Sequence, residues 1–227
     1  RVRRQRQMCI RDRNVNIKNL NLSVIMPAIT KSGQPVCNDR VSSEKDKVEH
    51  ASGLYLIYED GHAEPFTGDN SKDCVRYIGL KHGYMSFAIS LTEHDSVQLL
   101  DDDSRGESGS GTYYERECDA LFDFDGQKNT ERLVVRNPKL KNLLEDGEYI
   151  PSLGQLNLMA HYKDSINDAL EYIGAEPLAS SSAWYWSSTE YSQNYAWGVN
   201  FSSGSALNNS KYSSGRVRAV AAFSFKL

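Results

Sequence analysis

Residues 184–223 read WYWSSTEYSQNYAWGVNFSSGSALNNSKYSSGRVRAVAAF. Two kinds of residue alternate along this stretch. Trp184-Tyr185-Trp186, Ala196-Trp197, Val199, Phe201 and Val217 to Phe223 are bulky and predict a buried β frame. Between them lie Ser, Asn, Gly and Tyr, with Glu190 and Lys211 the only charges before Arg216. Tyr offers broad contact area with little rotamer freedom to lose, and Ser, Gly and Asn adapt their hydrogen bonding, so this palette suits a binding surface. The same composition also suits a Ser/Asn-rich solvated loop without a partner.

Working outward, the final strand places Val217, Ala219, Ala221, Phe223 and Phe225 on one face, with Arg216 and Arg218 on the other. Upstream, Ser165 to Gly174 puts Ile166, Ala169, Leu170 and Ile173 on one helical face, with Gly174 placed to end the helix and Pro177 just beyond. Ser152-Leu153-Gly154-Gln155 has the spacing of a capping box, in which an N-cap hydroxyl and the glutamine three residues on satisfy each other's backbone N–H groups. Another helix is expected to start near Asn129-Thr130. Leu54 to Tyr58, Ala63 to Phe66, Val75 to Leu80 and Met85 to Leu91 predict short strands. They are separated by the turns Glu59-Asp60-Gly61-His62 and Lys81-His82-Gly83. Asp101 to Gly111 predicts a surface loop. Short strands, a helical middle and a β-rich end give an α+β order rather than a βαβ series.

The 227 residues suffice for one large domain or two small ones. The domain is expected from Gly53 to the C-terminus, after a segment spanning 14–52 that is polar and turn-rich around Ser32-Gly33-Gln34-Pro35. Residues 1–13, RVRRQRQMCIRDR, hold six arginines. They resemble the spurious translation of a sequencing adapter and are set aside; a basic, phosphate-binding arm is the rival reading. A formal net charge of -4 does not favour nucleic acid. No apolar run reaches the length of a membrane span, so no membrane insertion is expected. Of the four cysteines, Cys9, Cys37, Cys74 and Cys118, a disulfide would most simply join Cys74 to Cys118; buried free thiols are the alternative.

The strings EDGEYIPSLGQLNLM, INDALEYIGAEPL, WYWSSTEYSQNYAWGVNF and RVRAVAAF, in that order, resemble the C-type-lectin-fold proteins common in gut Bacteroidales and their phages. ALFDFDGQKNTERLV and IGLKHGYMSFAISL fit the same group. The resemblance spans roughly Gly53 to Phe225. It implies an α+β C-type lectin fold with a β-rich C-terminal half and two to three short helices. Many members of this group are variable proteins of diversity-generating retroelements, in which error-prone copying at adenines turns asparagine codons into many others. Gln, Lys, Glu, Met and Trp are out of reach of asparagine codons altered in this way. Between Ser202 and Gly215 only Lys211 falls outside the reachable set.

The resemblance implies that Ser192, Tyr195, Gly198, Ser202, Ser203, Ser205, Leu207, Asn208, Asn209, Ser210, Tyr212, Ser213 and Ser214 are variable, ligand-contacting positions. Gln193, Asn194 and Lys211 border that set. It implies a non-catalytic binder of a cell-surface protein or glycan receptor, displayed on a virion or on a bacterial cell surface, with no cofactor. A fixed structural or adhesive module of a Bacteroidales surface protein is the alternative. The Glu-Pro-Asn, Gln-Pro-Asp and Trp-Asn-Asp strings of calcium-dependent sugar binders are absent, since Glu64-Pro65-Phe66 and Glu176-Pro177-Leu178 lack the third ligand. Asp123-Phe124-Asp125-Gly126 with Asn129 reads as a tight turn before a helix rather than a calcium loop. Formylglycine-generating enzymes share the fold but need a C-terminal cysteine pair, and no cysteine follows Cys118. The histidines His50, His62, His82, His94 and His161 match no catalytic or metal motif.

Overall fold

The computed structural model describes residues 50–104, 112–179 and 183–225. Sequence readings that fall on 1–49, which include Cys9 and Cys37, and on 105–111 lie outside the described residues. The first strands are β1 (Gly53–Tyr58), β2 (Ala63–Pro65), β3 (Val75–His82) and β4 (Met85–Val97). Helices α1 (Glu117–Ala120) and α2 (Gly126–Arg136) follow, then a 3₁₀ turn at Pro138–Leu143 and the short strand β5 (Glu148–Tyr149). Helices α3 (Leu153–His161) and α4 (Lys163–Ile173) precede β6 (Trp184–Glu190), β7 (Tyr195–Asn200), β8 (Ser205–Ser210) and β9 (Gly215–Ala222). The architecture is α+β, one large sheet with a few short helices.

The nine strands run in the order β2-β1-β3-β4-β9-β6-β7-β8, with β5 also paired to β9. All pairings are antiparallel except β6 with β9, which meet in parallel at Tyr185 and Arg216. That contact joins a β1–β4 half to a β6–β8 half through the last strand, β9. Leu56, Ile78 and Ile89 on one sheet face pack with Leu156, Ile166 and Leu170 from α3 and α4. The opposite face carries a smaller cluster of Ile57, Tyr77, Ala88 and Ala221. A third cluster joins Val97, Leu99, Leu133, Trp186 and Val217 under α2. Each fully buried side chain of this size contributes about 1.5–3 kcal/mol relative to exposure.

The capping box forms as its spacing predicts: Ser152 Oγ accepts from the Gln155 N–H, and Gln155 Oε1 accepts from the Ser152 N–H at 3.0 Å. Gly174 ends α4 at φ 78°, a left-handed conformation that a residue with a Cβ adopts only with strain. Two expectations need correction. Helix α2 starts at Gly126, ahead of Asn129-Thr130, because Gly126 lies against Gln155 Oε1 and the Ser152 backbone, where its missing Cβ lets the helix turn in early. Cys74 and Cys118 do not bond to each other, and neither is buried: Cys74 is exposed after the surface turn before β3, and Cys118 lies half-buried in α1. Among the described residues no helix is long and apolar enough to cross a membrane.

Candidate binding surface

Strands β6 to β9 place the sequence-predicted positions at one end of the sheet. Trp186, Trp197, Val199, Phe201 and Val217 are buried, and Trp184 is half-buried. Above this frame Tyr195, Ser202, Ser203, Ser205, Leu207, Asn208, Asn209, Tyr212 and Ser214 are exposed, and Ser192, Ser210 and Ser213 are half-buried. Leu207 is 56% exposed on a strand where only Ala206 is buried. The β7–β8 ladder sets Tyr195 opposite Ser210, Trp197 opposite Asn208 and Gly198 opposite Leu207. Period-two alternation therefore divides this ribbon, with Tyr195, Asn208 and Ser210 on one face and Leu207 and Asn209 on the other.

Gly198 does not belong in the solvent-facing set. It is buried, and a Cβ there would stand 2.8 Å from the Tyr185 carbonyl oxygen. The close approach of β6 to β7 requires a bare backbone at this position. Lys211, at the border of the set, is fully buried. Gln193 is half-buried and Asn194 exposed.

Lys211 lies in a polar centre beneath the ribbon. Its ammonium pairs with the Glu190 carboxylate and donates to the carbonyls of Ser192 and Gln193, each at 3.0 Å. Arg136, reaching from α2, donates to the same Gln193 carbonyl at 2.5 Å and stands 3.9 Å from Glu190. Two cations from different elements thus hold the β6–β7 turn from below. Burial pushes the Lys211 ammonium below the ordinary lysine range, with Glu190 opposing the shift. The only signal in the sequence was that Glu190 and Lys211 stand alone as charges in a polar, uncharged tract.

A second polar centre braces β9. Glu93 of β4 accepts from Arg216, from Arg218 at 3.1 Å and from the Tyr185 hydroxyl. Arg218 also donates to the carbonyls of Leu91 at 2.8 Å and Glu176 at 2.9 Å. On the face that alternation gives to Arg216 and Arg218, Arg218 is completely buried. Burial, and then the neighbouring Glu93 carboxylate, push the Tyr185 hydroxyl above the ordinary tyrosine range.

The Asp123 turn is a third such centre. Its carboxylate accepts from the Asp125 N–H at 3.0 Å, Asn129 Nδ2 at 2.7 Å and Thr189 Oγ1 at 2.7 Å. These bonds tie the start of α2 to β6, as expected of a tight turn before a helix. Among the described residues no group of three or more His, Cys, Asp or Glu side chains is arranged to hold a metal.

The Asn200 carboxamide oxygen shapes the β7–β8 turn, accepting from the Ser202 N–H at 2.9 Å and the Ser203 N–H at 3.2 Å. Next to Ser214, an open groove of about 450 Å³ runs past Asp95, Trp184 and Arg216. The surface is broad and shallow, and its hydrogen-bonding groups are mainly hydroxyls, carboxamides and backbone.

No protein-family model matches the chain, and no curated protein matches it. Among solved structures, a fimbrial protein from Bacteroides ovatus is similar, with a TM-score of 0.59 and 17% sequence identity. The match covers 77% of this chain and 49% of that one, so the chain spans about half of its neighbour's length. At this identity the likeness concerns the fold alone.

Proposed function

We propose that this is a non-catalytic binding domain with a C-type lectin fold, whose C-terminal ribbon contacts a cell-surface receptor and is diversified by a retroelement. The observation that carries the reading is the division of labour in 184–223. Nine of the positions that the resemblance implies as variable are exposed, while the bulky residues between them are buried. Side chains on such a surface can change at under about half a kcal/mol each, whereas frame changes cost several. Display on a virion or a bacterial surface fits this role, and multivalent display would strengthen modest single-site affinity.

A second reading, a fixed adhesive module of a surface protein, is favoured by Lys211 and Asn200. Every lysine and asparagine codon begins with adenine, so copying that errs at adenines would strike these positions as readily as their neighbours. Yet Lys211 is buried in an ion pair and Asn200 shapes the turn that presents β8. The similar solved structure is named as a fimbrial protein, which suits an adhesive role.

Sequencing the 3′ end of the coding region across the source community separates the two. The diversified reading expects substitutions at adenine-derived codons for Leu207, Asn208, Asn209 and Tyr212, beside an invariant template repeat and a reverse-transcriptase gene. Uniform codons without a repeat overturn it and leave the fixed module.

A further inference from the structure

Among the described residues no strand pairs with the outer edge of β8. At the other end of the sheet, β2 is only three residues long and ends in Pro65, which has no N–H to offer. Strand β8 has six residues, Ser-Ala-Leu-Asn-Asn-Ser, with no proline and no charge. Proteins ordinarily protect such an edge with lysine, proline or a bulge.

Which backbone groups face outward follows from the ladder. The Lys211 N–H donates inward to the Asn194 carbonyl at 2.9 Å, and Lys211 stands one place beyond Ser210. Antiparallel residues alternate between bonding to the partner strand and pointing away from it. Asn209, Leu207 and Ser205 therefore bond to β7, and Ala206, Asn208 and Ser210 point outward. The Ser210 N–H is taken by Asn209 Oδ1 at 2.8 Å, and its carbonyl accepts from the Ser213 N–H at 2.9 Å. Among the described residues, Ala206 and Asn208 are left presenting an N–H and a C=O each along this edge.

From this arrangement we infer that β8 binds an extended polypeptide segment of its partner by strand addition, with Ala206 and Asn208 supplying the backbone hydrogen bonds. The inference rests on the reading of the C-terminal ribbon as the binding surface and names the chemistry of the ligand. An extended peptide offers alternating N–H and C=O groups at the strand repeat and matches these donors and acceptors in register. A glycan carries no such alternation. The edge is uncharged and the nearby Lys211 is neutralised by Glu190, so the segment it fits is itself uncharged along its paired residues. Backbone pairing is also indifferent to side-chain identity. It supplies affinity on a ribbon whose side chains differ, and leaves Leu207, Asn208 and Asn209 to select among partners.

The test uses the full chain and a capped peptide of alternating Thr and Val flanked by Lys, with an N-methylated version of the same peptide as control. Amide hydrogen exchange is read residue by residue. The Ala206 and Asn208 amides are expected to slow by at least about tenfold at saturating peptide, with no slowing by the N-methylated peptide. Asn208→Pro removes an outward N–H at an edge position that tolerates proline, so it is expected to keep the fold and lose peptide binding, while Asn208→Ser keeps both. Equal loss in Asn208→Ser and Asn208→Pro overturns strand addition, because binding then runs through the side chain. The same holds if a glycan panel binds and the peptide does not, or if β8 of a second copy occupies the edge, seen as self-association abolished by Asn208→Pro. Retention of receptor-bearing cells with no peptide protection sinks strand addition alone; loss of cell binding after Leu207 and Tyr212 substitutions supports the wider reading independently.

Discussion

Glu190 and Lys211, separated by 21 residues in sequence, meet as an ion pair beneath the ribbon with side chains only 7% and 0% exposed. The pair connects the end of β6 to the residue after β8. Together with Arg136 it fixes the turn from which Ser192 and Tyr195 project. Charged residues in an otherwise uncharged tract therefore serve the interior, not the contact surface.

Removing Lys211 leaves the buried Glu190 carboxylate with Arg136 at 3.9 Å as its remaining cation and takes a donor from the Ser192 and Gln193 carbonyls. Lys211→Met is expected to destabilise the domain by about 3–5 kcal/mol. Urea unfolding followed by tryptophan fluorescence measures it. A loss below about 1 kcal/mol would mean that Lys211 reaches solvent. Glu190→Gln is expected to cost more than Lys211→Met, because it leaves Lys211 and Arg136 as two buried cations without the Glu190 carboxylate.

Gly198 and Leu207 are neighbours across the ladder with opposite tolerance. Gly198→Ala sets a methyl against the Tyr185 carbonyl and is expected to cost about 1–3 kcal/mol. Leu207→Ser is expected to change stability by less than about 0.5 kcal/mol. Thermal melts of the two variants check both values, and equal effects would contradict the buried placement of Gly198.

Alkaline pH is expected to destabilise the domain through Tyr185. Its folded-state pKa is raised, mainly by burial and then by Glu93, above the ordinary tyrosine value of 10.0. Above pH 10 the unfolded chain releases this proton while the folded chain retains it. The folded state then binds more protons, so stability falls as pH rises from the unfolded value toward the folded one, and the contribution is fully present below pH 10. Tyr185→Phe should cost about 1–2 kcal/mol at pH 7, from the hydrogen bonds lost at Glu93 and the Ala179 N–H. It should also flatten the decline above pH 10. Urea midpoints between pH 7 and 11 test this, and parallel declines in both proteins would refute it.

Calcium is expected to leave the melting temperature unchanged to within about a degree. The Asp123 carboxylate is already engaged by the Asp125 N–H, Asn129 and Thr189. Binding of an ion at hundredfold excess over its Kd would add about 2.7 kcal/mol and raise the melting temperature by several degrees. A scan with calcium against EDTA decides the matter. Asp123→Ala, by contrast, strands buried donors and should cost about 1–3 kcal/mol in either buffer.

Local chemistry made several elements legible from the sequence. Ser152 and Gln155 cap α3 because their spacing matches one helical turn, and Gly174 ends α4 because it alone of its neighbours takes positive φ without strain. The alternation of bulky and small residues in 184–223 marked β6 to β9, since strand side chains change face at every residue. The family resemblance, not the alternation, implied the set of ligand-contacting positions, nine of which are exposed. The local features depend on neighbours a few residues away, and the α+β order follows from them.

The remainder required partners distant in the chain. Gly198 reads like any small residue of the ribbon until β6 closes on it, and Lys211 reads as surface until Glu190 and Arg136 converge on it. Alternation sets Arg218 on the face opposite Val217 and Ala219, and Glu93 and the Glu176 carbonyl cover it there. Alternation reports which side a residue occupies, and only the packing of other elements decides whether that side is wet. The open edge of β8 has the same origin. The sequence sets its uncharged, proline-free composition, but the tertiary order of strands leaves it last in the sheet, with the outer sides of Ala206 and Asn208 unpaired among the described residues.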